Sequence, residues 1–166
     1  MNGTESRSML KQISGFLYRL LRAACALFLA IMVTTVFYQV LARYWLEVAT
    51  PWAEEVAVYC FIWSVLLGTA LGVRDNSHLV CEFLPASLPR PLDRSLDAFA
   101  FVMAAVTGIV FLWFGADYAR LGMTRLSYSM GFPMFYIYVS MPIAGASMLL
   151  FLVERLHTLW KDGSGR

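Results

Sequence analysis

Four long apolar runs, separated by short charged segments, limit what this chain can fold into. The uncharged runs cover residues 23–42, 56–73, 98–116 and 126–153. They are about 20, 18, 19 and 28 residues long, and roughly 17–25 apolar residues span a bilayer as a helix. A soluble domain of 166 residues has no need for four such runs. The sequence therefore predicts an all-α membrane protein with four transmembrane helices.

The overall composition fits a chain whose main solvent is lipid. Hydrophobic residues make up 60% of the sequence and charged residues 14%, whereas a soluble domain has roughly 25% charged residues. The formal net charge of +2 is too small to indicate nucleic-acid binding. The first run ends at Ala42 and is followed by Arg43. The small-residue cleavage site of a signal peptide is absent there, so we expect the run to be retained as a helix.

The distribution of Lys and Arg predicts how the chain is oriented in the membrane. Ten of the 13 lie in the N-terminal segment, the second loop and the C-terminal tail, and three lie in the other two loops. Positive residues favour the cytoplasmic side, so both termini are predicted to be cytoplasmic. Aromatic residues such as Trp52 and Trp113 gather near the opposite ends of the spans, as rings do at a headgroup layer.

The chain is expected to form one membrane domain over residues 1–166. The spans are placed at about 23–42, 56–73, 98–116 and 133–153. Apolar residues recur at helical spacing before the first span, which predicts an amphipathic interfacial helix over residues 1–22. A second interfacial segment is expected in the loop after the second span, and residues 157–166 are expected to form a C-terminal tail.

The spans carry little that could do chemistry. No span has an ionisable side chain near its middle, although such groups often mark an ion or substrate pathway. The two histidines and three cysteines have no spacing that indicates a haem, a metal site or a disulfide. Pro142 interrupts the fourth span and predicts a kink. We therefore expect no enzymatic activity, no cofactor and no metal ion.

Small residues indicate where helices could approach closely. Gly68 and Gly72 stand four residues apart on the second span, which places both on one helix face where another backbone can approach. Ala104 and Gly108 have the same spacing on the third span, and Gly145 offers a similar position on the fourth.

The segment Thr50-Pro51-Trp52-Ala53-Glu54-Glu55 is typical of a helix start. Thr50 is a suitable N-cap, Pro51 suits the first helical position, and acidic residues are favoured near the positive end of the helix dipole. Adjacent residues point about 100° apart on a helix, so the two glutamates face different ways. We expect one to meet Arg43 from the preceding helix and the other to face water or a second protein.

These residues resemble the small membrane subunit, or DctQ-type Q component, of the tripartite ATP-independent periplasmic (TRAP) transporters. The similarity runs from about Leu20 to Leu156 and depends on the order and spacing of short pieces. The pieces are Gln39-Val40-Leu41-Ala42-Arg43-Tyr44, Pro51-Trp52-Ala53-Glu54-Glu55, Phe61-Ile62-Trp63, Gly68, Arg74, His78, Gly131-Phe132-Pro133 and Met141-Pro142-Ile143-Ala144-Gly145. Cys81-Glu82 departs from the family, whose members often have a β-branched residue and an Asp there.

The resemblance implies a small permease subunit of the bacterial inner (cytoplasmic) membrane. Its expected partners are membrane lipids, a large multi-span transport subunit with the substrate and sodium sites, and a periplasmic binding protein that delivers an organic acid. The chain would scaffold the large subunit and help to dock the binding protein. The residues expected at partner interfaces or in structural roles are Arg43, Trp52, Glu54, Glu55, Trp63, Gly68, Gly72, Arg74 and His78.

Three alternatives remain open at the level of sequence. A stand-alone small exporter would need an acidic residue inside its first span, and residues 23–42 contain none. A redox subunit with haem or quinone would need more histidines. A membrane assembly factor is the alternative that the sequence excludes least.

Overall fold

The computed structural model describes residues 3–75 and 90–163, with side chains over 12–75 and 98–156. The helices of this part are α1 (Gly3–Trp45), α2 (Pro51–Arg74), α3 (Arg90–Gly122), α4 (Phe135–Tyr138) and α5 (Ser140–Gly163). The stretches long and apolar enough to cross a membrane are Gln12–Trp45, Pro51–Arg74, Ala98–Gly122 and Phe135–Leu156. The predicted all-α fold with four membrane-spanning helices is thereby confirmed.

The helices follow the spatial order α1, α2, α5, α3. Within the described residues, α1 packs along α2, α2 packs on α5, and α5 packs on α3, whereas α1 and α3 do not form a packed pair. In the most apolar window of each span, 44% of residues are buried in α4–α5 and 22% in α2, against 6% in α1 and 11% in α3. α2 and α5 therefore form the centre of the bundle, and α1 and α3 form its two sides.

Helix α1 is longer than one span and has no break. Its 43 residues correspond to about 65 Å at 1.5 Å per residue. Ser14 and Leu21 are buried, and Leu21 packs with Leu67 of α2 and Phe151 of α5. The packed part of α1 thus starts near residue 14, and residues 14–22 of the expected interfacial helix belong to the bundle.

Helices α1 and α2 are antiparallel and stay in contact from end to end. Four contacts mark the pairing: Arg74 with the Ser14 carbonyl, Cys25 Sγ with the Ser64 carbonyl at 3.5 Å, Phe28 with Trp63 at 5.3 Å between centroids, and Tyr38 with Trp52 at 5.5 Å. The whole length of α2 is therefore fixed against residues 14–38 of α1.

Glycines allow α3 and α5 to approach each other closely. A Cβ atom at Gly145 of α5 would lie 2.7 Å from the carbonyl oxygen of Gly108, and one at Gly115 would lie 2.8 Å from Cδ of Pro142. Gly122 is equally crowded, with a backbone nitrogen of α4 at 2.7 Å from the same point. The α3 glycines are seven residues apart and so share one face, and a larger side chain there would push the helices apart.

The fourth span is interrupted near its start. α4 ends at Tyr138 and α5 begins at Ser140, with Val139 between them. Pro142 has no N–H, so the carbonyl of Tyr138, four residues earlier, receives no helical hydrogen bond from it. The interruption expected in this span is present, and it falls three residues before Pro142.

Some expectations concern parts that the structure leaves undescribed. His78, Cys81 and most of the expected second interfacial segment lie outside the described residues. α5 continues to Gly163, so most of the expected tail over residues 157–166 is helical.

Candidate functional site

The polar contacts of the bundle lie mainly at its two ends. One end, here the loop end, contains residues 46–50 and the α3–α4 loop, residues 123–134. The other end, here the Arg74 end, contains the C-terminus of α2 with residues 14–18 of α1 and 151–154 of α5. The described residues expected in the site lie at one of these ends or on α2 between them.

Glu55 holds the α3–α4 loop against α2. One oxygen of its carboxylate accepts hydrogen bonds from the backbone N–H groups of Ser129 and Met130, both at 3.2 Å. The hydroxyl of Tyr59 donates to the other oxygen, and a residue one helical turn away is well placed to do so. Hydrogen bonds to an ionised carboxylate are stronger than neutral ones, so this side chain ties the loop to α2.

The α3–α4 loop is a short hairpin with its own backbone hydrogen bonds. The N–H of Ser127 donates to the Phe132 carbonyl at 2.8 Å, and the N–H of Met134 donates to the Arg125 carbonyl at 2.9 Å. These two bonds join the strands of the hairpin on either side of an isolated bridge. The loop is therefore folded in itself as well as attached to α2.

The tip of this hairpin is closed by a serine and a glycine. The buried hydroxyl of Ser127 accepts the N–H of Met130 at 3.2 Å. Gly131 has a φ of 69°, a left-handed conformation that favours glycine. Between them, Tyr128 is 98% exposed. The tip of the hairpin thus presents the ring of Tyr128 on a fixed turn.

The other polar residues of the loop end make fewer contacts. Glu54 and Arg43 are exposed, and across residues 12–75 and 98–156 no ion pair joins Arg43 to Glu54 or Glu55. The expected contact of a glutamate with Arg43 is not formed, because Glu55 turns to the α3–α4 loop. Thr50 occupies the N-cap position and Pro51 begins α2, as expected, but the Thr50 hydroxyl makes no capping hydrogen bond.

Two tryptophans of α2 connect it to its neighbours. Trp52 packs against Tyr38 of α1 at the loop end. Trp63 stacks on Phe28 of α1 and donates its indole N–H to the Tyr136 carbonyl of α4 at 3.1 Å. Trp63 therefore joins three helices and has a structural position.

Arg74 joins three helices at the opposite end. Its guanidinium donates to the Ser14 carbonyl of α1, and its Nε lies 4.0 Å from the Glu154 carboxylate of α5. Its Cζ lies 4.6 Å from the ring centroid of Tyr18 and 5.2 Å from that of Phe151. A guanidinium over an aromatic face is attracted by the ring quadrupole, so Arg74 links α1, α2 and α5.

Gly68 and Gly72 face open space. A Cβ atom at either position would have no heavy atom within 4 Å. Val58, Phe61 and Val65 are exposed and follow the same helical spacing, so these five residues form one surface, here the open face of α2. Among the described residues, nothing of this chain provides the close helix contact expected at the two glycines.

The described part of the chain shows no arrangement for a bound metal. Over residues 12–75 and 98–156, no group of three or more His, Cys, Asp or Glu side chains could hold a metal ion. Cys25 and Cys60 are free thiols.

Sequence reasoning missed the residues that bind Glu55. Tyr59 could have been identified, because it lies four residues after Glu55 on the same helix face. The N–H groups of Ser129 and Met130 lie 74 and 75 residues away along the chain, and no local pattern relates them to a glutamate. The crowded glycines of α3 could have been recognised because they recur every seven residues.

Comparison with known families identifies the class of protein to which this bundle belongs. Residues 32–162 match the family model described as "Tripartite ATP-independent periplasmic transporters, DctQ component". The chain belongs to this family. It is a transporter component and not an enzyme, and its four membrane-spanning helices make it a multi-pass membrane protein.

Individual relatives of this DctQ-type chain carry matching names. A putative TRAP transporter small permease protein of Haemophilus influenzae is 27% identical over 149 residues, which cover 89% of this chain and 92% of that one. The sialic acid TRAP transporter small permease protein SiaQ of Vibrio cholerae is 24% identical over 80% of this chain and 77% of its own length. The sialic acid TRAP transporter permease protein SiaT of H. influenzae is 23% identical over 75% of this chain but only 20% of its own length.

Proposed function

We propose that this chain is the small permease subunit of a TRAP transporter in the bacterial inner membrane. In this role it scaffolds a large, ion-coupled transport subunit and helps to dock a periplasmic substrate-binding protein. The complex takes up an organic acid by symport with sodium, as the family resemblance implies. Both termini are cytoplasmic, which places the loop end on the periplasmic side.

The observation that carries the proposed partner is the match to SiaT. A segment similar to this chain makes up 20% of that permease protein. In SiaT the segment is therefore joined covalently to a much longer permease chain. We infer that the present chain forms the corresponding association with a separate large subunit.

The interior of the bundle supports a scaffold and not a carrier. In the α3–α5 contact, glycines lie against backbone atoms and leave no space between the helices. The α1–α2 contact extends from the Ser14–Arg74 pair at one end to the Tyr38–Trp52 pair at the other. The uncharged runs place no ionisable side chain in the middle of the spans. An anionic substrate would find no compensating charge there, and an unpaired charge in hydrocarbon is costly.

The open face of α2 supports a contact with the large subunit. Lipid tails are as apolar as leucine, so helices in a membrane associate through close packing, and small residues allow their backbones to approach. Gly68 and Gly72 leave that space unfilled. Trp63 and Arg74 fix α2 to the rest of the bundle, so the open face is held rigidly. At the loop end, the exposed Arg43, Trp52 and Glu54 are proposed to contribute to docking.

The test is co-purification of the tagged chain with its large permease. Replacing both Gly68→Leu and Gly72→Leu should abolish recovery of the large subunit, because the added side chains fill the space for its helix. Gly15→Leu is the matched control, since a Cβ there also meets nothing within 4 Å, and recovery should be unchanged. Full recovery with the double variant would reject this interface. A wild-type chain that never co-purifies would reject the proposed function itself.

A further inference from the structure

The tip of the α3–α4 loop combines a fixed backbone with an almost fully exposed aromatic side chain. Tyr128 is 98% exposed, yet Ser127 before it is buried and the N–H groups of Ser129 and Met130 after it are bound to Glu55. A side chain on an ordered turn has less conformational freedom to lose on binding than one on a loose loop. Tyr128 is therefore well placed to bind a partner.

The hairpin that carries Tyr128 lies at the loop end of the bundle. It begins where α3 ends, at Gly122, and its tip meets Glu55 near the N-terminus of α2, which is one of the two central helices. A membrane-embedded partner packs against the sides of a bundle, as proposed for the open face of α2. A partner that meets the hairpin tip contacts the loop end, which the proposed function places in the periplasm.

We propose that Tyr128 anchors the soluble periplasmic substrate-binding protein, and that Glu55 is the positioning residue that holds Tyr128 in place. The inference rests on the proposed function, which places the loop end in the periplasm. The family is tripartite, and the relatives named above provide a small permease and a permease. The third component, which we propose to be the soluble binding protein, needs a contact surface outside the membrane.

The chemistry of tyrosine fits such a contact. Tyr is enriched among the few residues that dominate protein interfaces, because its ring offers apolar area and its hydroxyl offers one hydrogen bond. The matching surface on the binding protein is an apolar pocket with a hydrogen-bond acceptor or donor at its base. The exposed Trp113 lies on α3 itself, within a candidate span, where the rings of an interfacial belt are found, whereas Tyr128 lies on the loop.

The structure separates the roles of the two adjacent glutamates. The carboxylate of Glu55 is engaged by Tyr59 and by two loop N–H groups, so it is not available to a partner. Its effect on docking passes through the position of Tyr128. Glu54 is exposed and has no part in holding the loop.

The first test measures uptake in vesicles that contain this chain together with its large permease, at increasing concentrations of the purified binding protein loaded with substrate. Tyr128→Ala should raise the half-saturating concentration of binding protein about tenfold or more and leave the maximal rate unchanged. Glu55→Ala should change the same quantity in the same direction. Met123→Ala is the control, because Met123 is also exposed but lies at the base of the hairpin.

A double variant distinguishes positioning from general damage. Because Glu55 acts through Tyr128, adding Glu55→Ala to Tyr128→Ala should cause no further rise in the half-saturating concentration. An additional rise in the double variant, or a fall in the maximal rate with Glu55→Ala alone, would overturn the positioning role. An unchanged half-saturating concentration with Tyr128→Ala would overturn the anchor.

A photoreactive amino acid at position 128 identifies the partner directly. Illumination of the same vesicles with the binding protein present should yield an adduct with that protein, and the same label at position 113 should not. An adduct of position 128 with the large permease or with lipid would overturn the inference while leaving the proposed function intact. Absence of uptake by the wild-type complex would instead reject the proposed function.

Discussion

Two adjacent residues of the same type have different environments in this protein. Glu54 and Glu55 point about 100° apart on α2, and only Glu55 reaches the α3–α4 loop. The helix geometry alone predicts that the two carboxylates differ. Which of them is bound depends on a loop more than 70 residues away, and that information is absent from the local sequence.

Arg74 provides a prediction for a single residue. Arg74→Ala should lower the free energy of unfolding by about 2 kcal/mol, because it removes a charge-assisted hydrogen bond and two ring contacts. Arg74→Lys should have a smaller effect, since it keeps the charge but loses the planar stacking. The measurement is denaturant unfolding in detergent micelles, followed by tryptophan fluorescence.

The matched control for Arg74 is Arg19→Ala. Arg19 is an exposed arginine at the same end of the bundle, and its replacement should change the unfolding free energy by no more than about 0.5 kcal/mol. Equal losses for the two variants would show that the contacts of Arg74 do not stabilise the fold.

Among the elements, α1 packs against its neighbours over a longer stretch than its uncharged run. Arg19 and Arg22 end the uncharged run, so the sequence places the first span at residues 23–42. Both arginines are exposed, while Leu21 between them is buried against α2 and α5. Long arginine side chains reach water while their helix stays packed, so the packed part of α1 begins earlier than the run.

The glycines of the bundle belong to two classes that the sequence cannot separate. Gly108 and Gly145 meet across the α3–α5 contact, whereas Gly68 and Gly72 meet nothing. All four lie in apolar helical segments and have the same local signal. Only the packing of the helices shows which glycines are already in use inside the chain.

The difference between crowded and open glycines predicts different effects of alanine substitution on the stability of the bundle. Gly145→Ala should lower the unfolding free energy by about 2 kcal/mol, because the new methyl group would lie 2.7 Å from the Gly108 carbonyl oxygen and the helices must separate. Gly68→Ala in the isolated subunit should be neutral or stabilise by up to about 1 kcal/mol, since alanine favours a helix. Thermal unfolding in detergent measures both, and a greater loss at Gly68 than at Gly145 would contradict this description of the interfaces.

At the scale of the whole molecule, the order α1, α2, α5, α3 leaves much of each helix uncovered by protein. A four-helix protein with an uncovered central helix has surface available for lipid on some sides and for a partner on another. This arrangement suits a subunit that works inside a larger membrane complex.

The corresponding prediction concerns transport by the isolated chain. Reconstituted alone in liposomes, the protein should accumulate no labelled organic acid under a sodium gradient, because its spans carry no charge near the middle and its helix contacts are closed. Liposomes that also contain the large permease and the loaded binding protein are the control and should show uptake. Accumulation with this chain alone would reject the scaffold role.

The sequence by itself determined that this protein has four membrane-spanning helices, where α2 begins, and to which family it is related. These properties follow from local composition and short motifs, because insertion in lipid depends on the apolar character of each segment separately. The missing N–H of Pro142 is likewise a local property, and it alone predicts an interruption in the fourth span.

Only the tertiary structure decided the order of the helices, the use of Glu55 to hold a distant loop, the exposure of Tyr128 and the difference between the crowded and the open glycines. Each depends on which surfaces meet across long separations in the chain. In a membrane the apolar surfaces of all helices are chemically alike, so local hydrophobicity cannot specify which helices become neighbours. Shape complementarity between whole helices specifies their neighbours instead.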